Sequence, residues 1–150
     1  MTYLKEIELL YTVLPKILAA TVCGAIIGWD REKKNKVAGL RTIVLITVGS
    51  CIFTLGAFLI ESSSPSDPSR IISTIVTGIG FLGGGVIIKH NDKILGVTTA
   101  AFIWVVSGIG ILCGLGLVLL PIVLTLGLLA VSMILGKIEM KMPREPKEEL

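Results

Sequence analysis

Long apolar stretches separated by short polar clusters set the pattern of this chain. Thr42 to Ile60 and Ile71 to Ile88 contain no Asp, Glu, Lys or Arg, and neither do the 43 residues from Ile94 to Gly136. About 20 apolar residues cross a bilayer, so the first two stretches each predict one span and the third must fold back. Gly114-Leu115-Gly116, with Pro121 shortly after, marks the fold-back, because glycine and proline punctuate helices. The stretch Leu9 to Trp29 holds Pro15 and Lys16. A proline in a first turn is tolerated and a lysine near a helix end can snorkel, so this stretch predicts a span beginning near the interface. The expected fold is an all-α integral membrane protein, a compact bundle of five transmembrane helices over residues 9–29, 42–60, 71–88, 97–114 and 117–136. Residues 1–136 form the membrane domain, and 137–150 a charged, partly disordered tail.

Composition agrees: 53% of the residues are hydrophobic and 17% charged, more apolar than a soluble domain. The polar clusters then orient the bundle. Arg31, Lys33, Lys34, Lys36, Arg41, Lys89, Lys93, Lys137, Lys141, Arg144 and Lys147 all fall on one side of a five-span topology, out of 14 Lys and Arg. The positive-inside rule assigns that side to the cytoplasm, with the N-terminus outside and the C-terminus cytoplasmic. The net charge of +3 is thereby explained without a nucleic-acid partner; the partner implied is the lipid bilayer. A cleaved signal peptide is not expected, since the start mixes Lys5 with Glu6 and Glu8 and the first apolar stretch ends in Gly28-Trp29-Asp30-Arg31. Cys23, Cys51 and Cys113 lie in apolar spans without C-x-x-C spacing and read as small buried residues. His90 stands in the polar loop 89–93, a solvated turn.

Residues 78–86, GIGFLGGGV, match the G-x-G-x-x-G fingerprint of dinucleotide sites. The reading fails on context, because it needs an acidic residue about 20 positions on and Ile103 stands there. Five glycines in one helix cost up to about 1 kcal/mol each relative to alanine, and close helix contacts in lipid can offset that. Ser73, Thr77, Gly80 and Gly84 fall on one face, with Thr74 and Gly78 beside them and Gly83 and Gly85 off it. Gly24 and Gly28 in span 1 and Gly110 and Gly114 in span 4 form G-x-x-x-G pairs. Two readings stand: span 3 is central and gripped by spans 1 and 4, or it is locally unwound to expose backbone groups to a ligand.

The span ends carry the candidate chemistry. Asp67-Pro68-Ser69-Arg70 is a helix start signal, yet Arg70 sits near the positive end of its helix dipole and calls for an anion such as Asp67, Glu61 or a headgroup. Asp30 and Glu32 close span 1, where a carboxylate faces the negative dipole end. Pairing with Arg31 or Arg41 would relieve this, so Asp30, Arg31 and Arg41 form a candidate cluster, with Thr42 adjoining. Thr98 and Thr99 either cap span 4 or line a polar pocket with that cluster. Trp104, about 10 Å further in, is deeper than the interfacial belt, and its indole N–H should seek a partner inside the bundle. Asp30 and Glu32 are the only paired candidates for a magnesium ion, as ligand or substrate; Asp67 lies across the membrane from them. No other cofactor is implied.

The ordered segments Gly24 to Gly28 with Arg31-Glu32, Ala38-Gly39-Leu40-Arg41-Thr42, Asp67 to Ile71, Gly78 to Gly83 with Gly85, and Gly96 with Thr98 to Ala101 and Trp104 resemble the membrane domain of the MgtC/SapB family. They cover roughly residues 20 to 116. The family pattern favours Glu where this chain has Asp30 and Gln where it has Thr74. The resemblance implies a protein of the bacterial or archaeal cytoplasmic (inner) membrane linked to growth under magnesium limitation and, in pathogens, to virulence. Members have been described as magnesium transport proteins or as acting on membrane partners such as the F-type ATP synthase. Some relatives continue into a soluble C-terminal domain, which this chain, ending at Leu150, is expected to lack.

Two functions follow: a regulator that binds a membrane partner, favoured by dense glycine packing and the lack of an acidic path through the spans, and a carrier of magnesium or another cation. An enzyme finds no support, since no nucleophile with a nearby base can be identified. Several G-x-x-x-G faces on five short spans also predict a homo-oligomer.

Overall fold

The computed structural model describes residues 2–61, 68–91 and 93–141. In order these form α1 (Thr2–Lys33), α2 (Leu40–Glu61), α3 (Pro68–Gly85), the short strands β1 (Ile88–His90) and β2 (Lys93–Leu95), α4 (Val97–Gly114) and α5 (Leu119–Lys141). The described residues are all-α apart from one antiparallel hairpin, with Ile88 opposite Leu95, Lys89 opposite Ile94 and His90 opposite Lys93. The loop containing His90 is thus paired backbone. Asp92 lies outside the described residues.

Four of the helices, α1, α2, α4 and α5, are long and apolar enough to cross a membrane. Five such spans were expected. α3 has the same 18 residues as α4, but it opens on the polar turn Pro68-Ser69-Arg70 and ends at Gly85 instead of continuing to Ile88, so it is the less apolar of the two. α1 also begins earlier than expected, at Thr2, which puts Pro15 inside the helix, where it removes one backbone hydrogen bond.

The central helices are α2 and α4. In α4, 56% of the spanning window is buried against 11% in α5. Ile27, Ile43, Ile103 and Val106 are fully buried at the α1–α2–α4 junction. The expectation of a central span 3 is corrected here: α3 is exposed along most of its length, and α2 is the helix that is gripped. A Cβ at Gly24 would lie 3.0 Å from Val44 Cα, and one at Gly28 2.8 Å from Leu40 Cα. On the other side of α2, a Cβ at Gly110 would overlap the Thr47 carbonyl, and one at Gly114 would lie 2.8 Å from the Cys51 carbonyl. Close approach of backbones is what small residues permit in a bilayer, where no hydrophobic force drives helices together. In α3 only Gly83 meets a neighbour, Ala100; Gly78, Gly80, Gly84 and Gly85 face open space. Nor is α3 unwound, since the helix is continuous through these glycines.

The same contacts give the helix directions. Along α2, Thr47 then Thr54 meet Gly110 then Gly114, so α2 and α4 run parallel, while Leu40 and Thr47 meet Gly28 and Gly24 in reverse order. Because α2 and α4 are parallel, α3 must carry the chain back along the bundle. Gly96, at φ 90°, turns it from the hairpin into α4; a Cβ there would overlap the Val86 carbonyl. The fold-back after α4 is a Schellman motif: Leu117 N–H donates to Leu112 O at 3.2 Å, Gly116 N–H to Cys113 O at 2.9 Å, and Gly116 has φ 89°.

Interior polar groups are mostly satisfied locally. Thr47 and Thr54 back-bond to Ile43 O and Ser50 O, each at 2.8 Å, and the Ser50 and Ser107 hydroxyls join α2 to α4 at 2.9 Å. Cys23, Cys51 and Cys113 are free thiols buried in this core.

Candidate functional site

The end of α1, the turn 34–39 and the start of α4 build the site. Helical spacing turns Arg31 inward, on the face that carries Ile27 and Gly24. It is 2% exposed. Its Nη2 donates to Thr99 Oγ1 at 2.8 Å, and its guanidinium carbon sits 4.3 Å from the centroid of the Phe102 ring. Thr99 and Phe102, three residues apart, share one face of α4, which is how a helix presents two groups to one partner. The Nε of Arg31 is buried without a hydrogen-bond partner. Among the described residues no carboxylate pairs with Arg31. The cation is therefore held by a neutral hydroxyl and an aromatic face, contacts that compensate burial of a charge only in part.

The expected cluster of Asp30, Arg31 and Arg41 is corrected. Asp30 Oδ2 pairs with Lys34 Nζ at 2.8 Å, one turn on along the same helix, and Arg41 is exposed on α2. Position 30 lies about 100° around the helix from 31, so the two side chains leave it in different directions. Glu32 has a third role. Its Oε2 accepts the Leu40 N–H at 2.9 Å, capping α2 from eight residues away, and a Cβ at Gly39 would overlap that carboxylate. Glu32→Ala should cost about 1 kcal/mol, the usual worth of a lost cap, and raise amide exchange at residues 39–42 without changing exchange in α4; unchanged exchange at 39–42 would contradict the capping role.

Thr98 and Thr99 part company. Thr99 joins the Arg31 pocket, Thr98 is exposed, and α4 has no side-chain cap at its start. Trp104 departs from expectation: it is 56% exposed, because position 104 falls off the buried stripe of Thr99, Phe102, Ile103, Val106 and Ser107. It borders a cavity of about 550 Å³ with Val76, Ser107, Gly108, Leu124 and Leu128. Thr42 is exposed on α2. Arg70 is exposed at the start of α3, where its carbonyl accepts from Thr74 Oγ1 at 2.9 Å; Ser69 precedes it in the first turn. Asp67, the proposed cap and partner, lies outside the described residues, as does the Glu61 side chain.

The pair offered for magnesium does not converge. Residues two apart do not face each other on a helix, and each carboxylate is engaged elsewhere, Asp30 by Lys34 and Glu32 by the α2 backbone. Among the described residues no three His, Cys, Asp or Glu side chains gather as a metal site. Phe102 was missed by the sequence reading; its i, i+3 relation to Thr99 is the signal that could have found it. Lys33 over the Trp29 ring, 5.3 Å from its centroid, is a second cation–π contact at the same end.

Comparison with known proteins bears on this arrangement. A sequence model of the MgtC family matches residues 17–141, a stretch that contains Arg31, Thr99 and Phe102. The chain is 42% identical over 113 residues to Protein MgtC of Salmonella typhimurium (strain LT2), covering 75% of this chain and 48% of that protein. It is 39% identical over 119 residues to Protein MgtC of Brucella abortus (strain 2308), covering 79% and 49%. An uncharacterized protein of Haemophilus influenzae is 39% identical over 125 residues, covering 78% and 52%. The chain thus spans about half the length of the curated relatives it matches. No solved structure matches it. With its apolar helices and this match over most of its length, the chain is a multi-pass membrane protein that belongs to the MgtC family.

Proposed function

We propose that this chain is a regulator in adaptation to magnesium limitation, acting in the cytoplasmic membrane by binding a membrane protein partner. The observation that carries this reading is Arg31. The interior charge of the site is a buried guanidinium that makes no ion pair with a described carboxylate, Asp30 acting on it only through space, and a fixed positive charge at low dielectric repels a passing cation. Both nearby carboxylates are committed to structure, which also supports binding over transport. The F-type ATP synthase is the partner suggested by family resemblance, and a homo-oligomer is the assembly suggested by the exposed α3 and α5 faces. The orientation goes with this reading: N-terminus outside, C-terminus cytoplasmic, so that Arg31, the hairpin and the tail after α5 face the cytoplasm.

The test is transport. Wild type and Asp30→Asn, reconstituted in liposomes with an internal magnesium dye, should both give flux no greater than empty liposomes, with calcium and protons as controls. Saturable magnesium entry abolished by Asp30→Asn would overturn the proposal in favour of a magnesium carrier.

A further inference from the structure

A lateral groove of about 750 Å³ runs between α2 and α3, floored by Ile103 of α4. Its walls are hydrocarbon apart from a few hydroxyls. Of these, Ser50 is bonded to Ser107 and Thr74 to the Arg70 carbonyl, so nothing along the walls demands a polar occupant. Cations stand at its ends. At one, Thr42 lines the groove with exposed Arg41 as its chain neighbour, and Leu82 of α3 and Val86 just beyond that helix lead into the hairpin bearing exposed Lys89 and Lys93. At the other, Ile71 lines it with exposed Arg70 as its chain neighbour. No described carboxylate pairs with any of these cations. The groove is therefore apolar along its length and more basic at the Thr42 end, with three cations against one.

We propose that it holds an acyl chain of an anionic phospholipid, with the lipid phosphate at Arg41. On α2 the lining runs from Thr42 to Phe53, about 16 Å at 1.5 Å per residue, and an extended hydrocarbon chain can lie along it. The charge distribution matches such a lipid, since basic pockets between membrane helices are recognised sites for anionic headgroups. The site is separate from the Arg31 pocket and independent of whether the chain is a regulator or a carrier.

The experiment is native mass spectrometry of the full chain, purified in mild detergent, stripped of lipid and titrated in parallel with dioleoylphosphatidylglycerol and dioleoylphosphatidylcholine. Wild type should retain one phosphatidylglycerol per chain with about a fivefold preference, as expected for one basic residue at an anionic headgroup. Gly49→Leu and Gly78→Leu place side chains in the groove, and neither Cβ meets another atom within 4 Å, so both variants should fold by circular dichroism and lose the lipid. Arg41→Gln should keep lipid binding and lose the preference. Equal retention of the two lipids, or a lipid adduct that survives both leucine variants, would overturn the proposal. A dimer mass abolished by the leucine variants would instead assign the groove to a second copy of the chain, and a co-purifying peptide lost in them would assign it to a protein helix.

Discussion

Gly110→Ala should lose about 3 kcal/mol or more of bundle stability, at the upper end of what overpacking costs, while Gly80→Ala and Gly84→Ala should be neutral or gain up to about 1 kcal/mol from helix propensity. The chemical change is the same, so the difference isolates position. At Gly110 the new methyl meets the Thr47 carbonyl and lies 2.9 Å from Ser50 Cβ, and backbone cannot rotate away as a side chain can. Separating α2 from α4 to admit it would also stretch the Ser50–Ser107 hydrogen bond. Gly114→Ala should behave similarly, since its Cβ would fall 2.6 Å from Thr54 Cβ. Gly24 is a milder case, because its nearest obstacle is the Thr47 hydroxyl at 2.9 Å. Equilibrium unfolding in mixed detergent micelles measures all five; a neutral Gly110→Ala beside a damaging Gly84→Ala would mean that α3, not α2, is the gripped helix.

The second large effect is a separation of stability from function at Arg31. Replacing a buried charge by an apolar side chain of similar volume is often neutral or stabilising, by up to about 4 kcal/mol. Here the guanidinium has one neutral hydrogen bond, one aromatic contact and an orphaned Nε, so its burial is poorly compensated. Arg31→Met leaves the Thr99 hydroxyl oxygen to find another donor, at about 1–3 kcal/mol if it fails; Arg31→Met with Thr99→Val removes that cost. The double variant should therefore be at least as stable as wild type. If Arg31 serves partner binding, the same variant should lose at least tenfold in rescue of growth at low magnesium, and Arg31→Lys should rescue poorly, because an ammonium lacks the planar fork that reaches Thr99 while lying over Phe102. A stable double variant with full rescue would remove Arg31 from the function, and a severely unstable one would make its role structural.

These two tests fall on either side of the division between what could be read from residue order and what required packing. The spans could be read because runs of uncharged residues answer to the thickness of a bilayer, whatever they pack against. The break at Gly114 to Gly116 could be read because glycine in the left-handed region is a local requirement, and the Schellman turn at Gly116 meets it. The neighbourhood of Arg31 and Thr99 was visible as charge and hydroxyl at span ends. Partner choice was not. Asp30, Glu32 and Arg31 are adjacent in sequence, yet helical rotation sends them to Lys34, to the α2 backbone and to α4.

The sequence by itself determined a predominantly helical membrane chain, the approximate bounds of four of its spans and its family, since these depend on hydropathy run length, local backbone chemistry and residue order. Only the tertiary structure decided which glycines matter. The densest glycine segment, in α3, faces open space, while the two sparse pairs in α1 and α4 hold α2 at backbone distance. Glycine count measures what a helix would allow, and only the neighbour's position determines whether a missing Cβ is used.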